Sequence, residues 1–175
     1  MIDNGWGAAQ NWDDIQNAAI AEIEQAGRQK QNITVLTSAP EADTKALQVY
    51  GPVTMSDALS FVRALEPYPW PAALGTLRNI LPDISNARVI WLSDGIEKPG
   101  QAALVRALAA RSSSGEITFH VPAPDALPLI LKGPEKFHSQ PSIMVDGPHN
   151  LEPSAPVRVQ LLGAHGQIQI GRAHV

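Results

Sequence analysis

Apolar positions recur along the chain at two spacings, and the switches between them predict alternating strands and helices. Met1-Ile2-Asp3 reads as the end of a buried strand running into an aspartate. Asn11 stands where a helix cap belongs, for a helix reaching about Lys30, with Asp13 and Asp14 in the first turn where the dipole favours carboxylates. Ile15, Ala19, Ile23 and Ala26 follow at helical spacing and give that helix one buried face. Ile33-Thr34-Val35-Leu36-Thr37 is a β-rich run closed by Ala39-Pro40. Residues 41 to 53 form a connection in which Ala46 to Val49 pairs briefly as an edge strand.

Thr54, with Asp57 three residues on, marks a capping-box start for a helix that stops before Pro67. Leu59, Val62 and Leu65 supply its apolar face. A short helix follows with Pro71 at its first position, carrying Leu74, Leu77 and Leu81. Arg88-Val89-Ile90-Trp91-Leu92 has the continuous apolar character of a central strand and ends in the turn Ser93-Asp94-Gly95. Residues 100 to 111 make another helix with Leu104, Val105 and Leu108 inward, joined by a flexible Ser112-Ser113-Ser114-Gly115 connection to a strand at Glu116 to Val121. Leu127 to Leu131 is expected to be the last strand of the sheet.

Strands separated by helices imply parallel pairing with crossovers, hence an α/β fold: a three-layer Rossmann-like sandwich with a mostly parallel sheet. Ligands of such sheets sit beyond the carboxyl ends of the strands. Asp3 and Asp94 each end a strand, so both belong on that edge. After residue 133 the pattern changes: Pro, Gly and His dominate, and then Val157 to Leu161 alternates with period two. Gly163 to Gly166 turns the chain, and Ile168 and Ile170 resume the alternation, which predicts a β-hairpin. The expected organisation is an α/β domain over 1–132 and the start of a β-rich module over 133–175. The chain opens on a strand and stops mid-pattern, so a fragment of a longer protein is expected.

Composition narrows the function classes. At 175 residues with 44% apolar and 17% charged positions, this is ordinary globular material for one good-sized domain. A net charge of −4, with 13 Lys and Arg scattered and no basic run, argues against a nucleic-acid partner. No stretch approaches the roughly 18 consecutive apolar residues of a membrane span, and the N-terminus lacks a secretory pattern. With no cysteine, disulfides, thiolate metal sites and cysteine nucleophiles drop out.

Asp3-Asn4-Gly5-Trp6-Gly7 together with Ser93-Asp94-Gly95 resembles the von Willebrand factor A domain. In that family the first strand ends in Asp-x-Ser-x-Ser and the fourth in a Thr/Ser-Asp-Gly turn. The resemblance implies a metal-ion-dependent adhesion site, in which two aspartates, two serines and a distant threonine hold a divalent cation, Mg2+ or Ca2+. Both aspartates are present as Asp3 and Asp94, but Gly5 and Gly7 stand in the serine positions. The loop expected to carry the threonine reads Tyr68-Pro69-Trp70-Pro71, without a hydroxyl in the ligand position. The site is therefore expected to be degenerate and to hold no cofactor, the alternative being a cation held by Asp3 and Asp94 through water. Aspartates in such turns also serve by accepting from backbone amides.

A similarity over more of the chain is carried by Asp3 to Trp6, Thr37-Ser38-Ala39-Pro40, Ala64-Leu65-Glu66-Pro67-Tyr68-Pro69-Trp70 and Trp91-Leu92-Ser93-Asp94-Gly95. These segments look like a bacterial family of membrane proteins with an aerotolerance-regulator (Bat) type N-terminal segment, a degenerate A-type domain and a C-terminal domain of unknown function. The likeness spans about residues 1 to 95 and weakens toward 131. It implies the soluble portion of an inner-membrane protein, touching the membrane only through segments outside this chain.

Trp91, within a strand, is expected in the core, while Trp6 and Trp70 lie in loops flanking the sheet edge. Exposed aromatics there suit anchoring of a protein partner, or they fill space that a metal and its waters would occupy. His120 falls in a strand, and His138, His149, His165 and His174 lack ligand spacing. No nucleophile elbow, P-loop or dinucleotide fingerprint is present. The expectation is a non-enzymatic protein-interaction domain whose candidate edge comprises Asp3, Asn4, Trp6, Trp70 and Asp94. The alternatives are a metal-assisted hydrolase using Asp3 and Asp94, or a structural spacer.

Overall fold

The first helix, α1 (Trp12–Arg28), buries Ile15, Ala19 and Ile23 along one face and carries Asp13 and Asp14 in its first turn. Its lead-in differs from the expected cap. A 3-10 helix at Trp6–Asn11 runs directly into α1, and the Asn11 side chain makes no cap bond. The Asn11 amide nitrogen instead donates to the Ala126 carbonyl, far along the chain. This is a computed structural model, and it describes residues 1–85, 87–112, 117–123, 126–127, 130–132, 144–146, 160–162 and 168–170. Two compact units divide the chain, Met1–Pro128 and Leu129–Val175.

In the first unit β1 (Ile33–Leu36) pairs antiparallel with β2 (Val49–Val53), and β3 (Val89–Leu92) pairs parallel with β4 (Ile117–His120). The N-terminal segment lies between the two pairs. Ile2 bridges in parallel to Thr37 on one side and to Leu92 on the other. The amide of Ile2 donates to the Leu36 carbonyl at 2.8 Å and that of Asp3 to the Leu92 carbonyl at 2.9 Å. The molecule is thus mixed α/β with both parallel and antiparallel pairing.

Among the described residues the remaining helices are α2 (Met55–Ala64), α3 (Leu74–Asn79) and α4 (Gln101–Arg111). Thr54 caps α2: its hydroxyl oxygen accepts from the Asp57 amide at 3.4 Å and donates to the Asp57 carboxylate at 2.8 Å. Two separate apolar clusters form. One gathers Ile15, Ala19 and Ile23 of α1 with Ala58 and Val62 of α2, and the other Leu74 and Leu77 of α3 with Leu104 and Leu108 of α4. Strand residues alternate between them as the pleat requires. Val89 and Trp91 join the α3/α4 cluster, while Ile90 and Leu92 pack with α1 and α2.

Three expected elements shift. The edge strand is Val49–Val53, just after the run expected to form it, because the pairing partners of Leu36 and Val35 are Val49 and Tyr50. The helix after the Pro-rich loop starts at Leu74 and not at Pro71, since Pro71 belongs to the loop that closes over Gly5. The last strand expected for the first sheet, at 127 to 131, is described only at its ends. The strand there, Ile130–Lys132, pairs antiparallel with Met144–Asp146 in the second unit. There Gln160–Leu162 also pairs antiparallel with Ile168–Ile170. Val157 to Val159, the Gly163 to Gly166 turn, the Ser113-Ser114-Gly115 connection and His138, His149, His165 and His174 lie outside the described residues. Among the described residues no helix is long and apolar enough to cross a membrane.

Leu77 is fully buried and Gly75 beside it faces open space. Leu77→Ala is expected to cost about 2–5 kcal/mol through the cavity it leaves. Gly75→Ala is expected to stabilise by up to about 1 kcal/mol through helix propensity. Urea denaturation of the two variants checks both signs.

Candidate functional site

Because Asp3 follows the bridged Ile2 and Asp94 follows β3, the pairing sets the two carboxylates side by side at the carboxyl ends of the strands. The Asp94 amide donates to Asp3 Oδ2 at 3.4 Å, and both side chains are buried, at 0% and 1% exposure. Two carboxylates sealed together repel each other and lose hydration, a cost of several kcal/mol per ion unless a cation joins them.

The loop after β3 brings that cation. Ser93 Oγ accepts from the Gly95 amide at 3.1 Å, and Asp94 Oδ1 accepts from the Ile96 amide at 3.0 Å, which folds the chain back on itself. Gly95 sits at φ +80, in the left-handed region that glycine tolerates. Gln101, at the start of α4, accepts from the Lys98 amide through Oε1 at 3.0 Å. Held in this way, Lys98 sends its ammonium back over the strand ends. It lies 3.0 Å from Asp3 Oδ2, donates to Asp94 Oδ1, and reaches the Ile96 carbonyl at 3.3 Å.

Two carboxylates still face one ammonium. Burial, and next the Asp3 charge, push the Asp94 carboxyl above its usual range, against the pull of Lys98 and the Ile96 amide. A carboxyl raised in this way binds its proton more tightly folded than unfolded. Its ionisation therefore costs stability above the raised value, and that cost is relieved as pH falls toward the ordinary 3.8.

Asn4 ties the neighbouring loops together. Its Oδ1 accepts from the Ala39 amide at 2.9 Å, its own amide donates to Ser38 Oγ at 3.3 Å, and its carbonyl accepts from the Tyr68 amide at 2.7 Å. Tyr68 stacks on Trp70 with ring centres 5.3 Å apart, and Lys45 Nζ lies 4.7 Å from the Trp70 ring centre. The indole of Trp70 donates to the Pro40 carbonyl at 2.7 Å, and the Trp70 carbonyl accepts from the Trp6 amide at 3.1 Å. The Trp6 side chain stays 42% exposed.

The sequence-predicted residues therefore gather at one edge in two roles. Asp3, Asn4 and Asp94 are sealed inside and brace it, whereas Trp6 is exposed and Trp70 half-buried. Trp91 is fully buried and stacks on Phe119 at 5.3 Å. His120 faces Glu22, with Nε2 and Oε1 3.2 Å apart, away from the aspartates. Lys98 was missed by sequence reasoning. Its only signal is a lysine four residues after a strand-end aspartate, in a loop whose path the pattern does not reveal. A cavity of about 570 Å3 is lined by Ile33, Val35, Val89 and Ile90 among others.

With the Lys98 ammonium between the carboxylates and glycines at positions 5 and 7, the site as it stands does not fit the adhesion-site metal that the family resemblance implies. An added Cβ at Gly7 would lie 2.7 Å from Asp94 Oδ2 and collide with Ile96, and one at Gly5 would lie 3.0 Å from the Trp70 carbonyl oxygen. Neither position has room for a serine. Among the described residues no group of three or more His, Asp or Glu is placed to hold a metal ion. No protein-family model matches the chain. No curated protein matches it either.

Lys98→Met is expected to cost about 3–5 kcal/mol at neutral pH, because it strands two buried carboxylates. That loss should shrink on acidification, as the Asp94 carboxyl, already raised by burial, takes up its proton, and chemical denaturation at pH 7 and pH 5 reads it. Gly7→Ser, which adds a side chain against Asp94 and Ile96, is expected to destabilise by about 1–3 kcal/mol through overpacking. A stabilised Gly7→Ser protein would contradict the close approach of Gly7 to Asp94.

Proposed function

We propose that this chain is the soluble part of a membrane-anchored bacterial envelope protein and works as a non-enzymatic protein-interaction domain. In this reading residues 1–132 form a doubly wound, three-layer von Willebrand A-like sandwich with a degenerate metal site, and residues 133–175 begin a β-rich module. The strand order supports the fold: β2, β1, the N-terminal segment, β3 and β4 lie side by side, and two helix pairs supply separate cores. Beneath the functional reading lies one observation. An exposed indole, Trp6, and the stacked Tyr68–Trp70 pair stand beside a strand edge whose two carboxylates already share a lysine of the same chain. Large aromatics on a rigid base are good anchors for a partner, since little side-chain freedom is lost on binding.

The interaction reading is preferred over the hydrolase because catalysis by Asp3 and Asp94 needs a cation where the Lys98 ammonium sits. A photo-crosslinking amino acid at position 6 of the full-length protein, expressed in its native cells, identifies the partner. Trp6→Ala and Trp6→Ala/Trp70→Ala are then measured against that purified partner. Trp6→Ala should weaken binding by about tenfold or more while leaving Tm nearly unchanged, as expected for an exposed hot spot. Asp94 is left intact, because replacing it disturbs the braced edge itself. Unchanged affinity in both variants would replace this reading with the spacer.

A further inference from the structure

We infer that the Lys98 ammonium is the resident cation of this strand edge. It takes, from within the chain, the place between Asp3 and Asp94 that a divalent ion would fill, and its removal uncovers a latent divalent-cation site. The contacts match the chemistry of an ammonium. Its three N–H donors face three acceptors, namely Asp3 Oδ2, Asp94 Oδ1 and the Ile96 carbonyl. The side chain is 11% exposed, and the loop behind it is pinned by Ser93, Asp94 and Gln101.

An ammonium has no further bonds to offer, and the remaining oxygens record this. Asp3 Oδ1 and Asp94 Oδ2 are both buried and have no hydrogen-bond partner. In a protein interior most such atoms are satisfied. Here two carboxylates and a backbone carbonyl converge on one position, a donor set of hard oxygens that suits Mg2+, Mn2+ or Ca2+. A divalent ion accepts about six ligands, so it uses the oxygens that the lysine leaves idle. What excludes it is the tethered ammonium, which occupies the position and opposes a second cation by charge. The inference goes beyond the interaction reading and does not depend on it, since its test reads metal binding and no partner.

The wild-type protein, Lys98→Ala and Lys98→Gln are titrated with MgCl2, MnCl2 and CaCl2, with heat followed by calorimetry and Tm by thermal denaturation. Wild type should give no binding heat and an unchanged Tm. Each variant should melt lower than wild type in chelator and recover at least about 4 °C in millimolar metal, as ligand linkage requires. Adding Asp3→Asn to either variant should abolish the recovery. Lys98→Gln guards against misfolding, because its amide keeps a polar group of similar reach in the site. Equal metal responses in wild type and variants would overturn the inference. So would the absence of any metal response in both variants, including failure of both to fold in metal-containing buffer.

Discussion

Three residues hold the first unit together. Met1, Ile2 and Asp3 lie between β1 and β3, and their backbone groups bond to both: Ile2 to Leu36, Asp3 to Leu92, with return bonds from Ser38 and Leu92. Without that insertion the β1/β2 and β3/β4 pairs would be separate two-stranded ribbons, which are marginal on their own. With it, Ile2 and Leu92 join the cluster under α1 and α2, and Leu36 and Val89 join the one under α3 and α4. The same insertion sets the register that brings Asp3 beside Asp94.

Placing two carboxylates together at a sealed edge creates an electrostatic demand, and the loop after β3 meets it. Its turn is written in short-range side-chain chemistry: Ser93 and Asp94 each hold an amide two residues ahead, and Gln101 holds the amide of Lys98. These local bonds fix the base of a flexible side chain, so the ammonium loses little additional freedom in reaching both carboxylates. One of the two negative charges is thereby offset inside the chain. The exposed features nearby are aromatic: Trp6 in the open and Trp70 propped by Tyr68, Lys45 and the Pro40 carbonyl. The edge is thus ion-paired within and aromatic without.

Much of the first unit was legible because its elements obey simple periods. Helical spacing located α1, α2 and α4 within a few residues, and the apolar run at Val89–Leu92 marked its strand. The errors share one cause: non-local bonds overrode local signals. Asn11 has the right identity for a cap but gives its amide to Ala126. Pro71 suits a helix start but is held in the loop above Gly5. Residues 130 to 132 found their partner in Met144–Asp146, a pairing that strand propensity alone cannot choose.

Sequence by itself determined the mixed α/β character and the presence of aspartates at two strand ends, because periodicity and turn residues act over a few positions. It also placed two glycines, Gly5 and Gly7, directly after the first of those aspartates. Tertiary structure alone decided what those glycines are for: Gly7 lets the backbone approach Asp94 more closely than any side chain would permit. It alone turned Asn4 inward as a tie between loops and left Trp6 outside. And it alone placed Lys98 between Asp3 and Asp94, since an ion pair across 95 residues depends on how the strands pair and on nothing within reach of a local pattern.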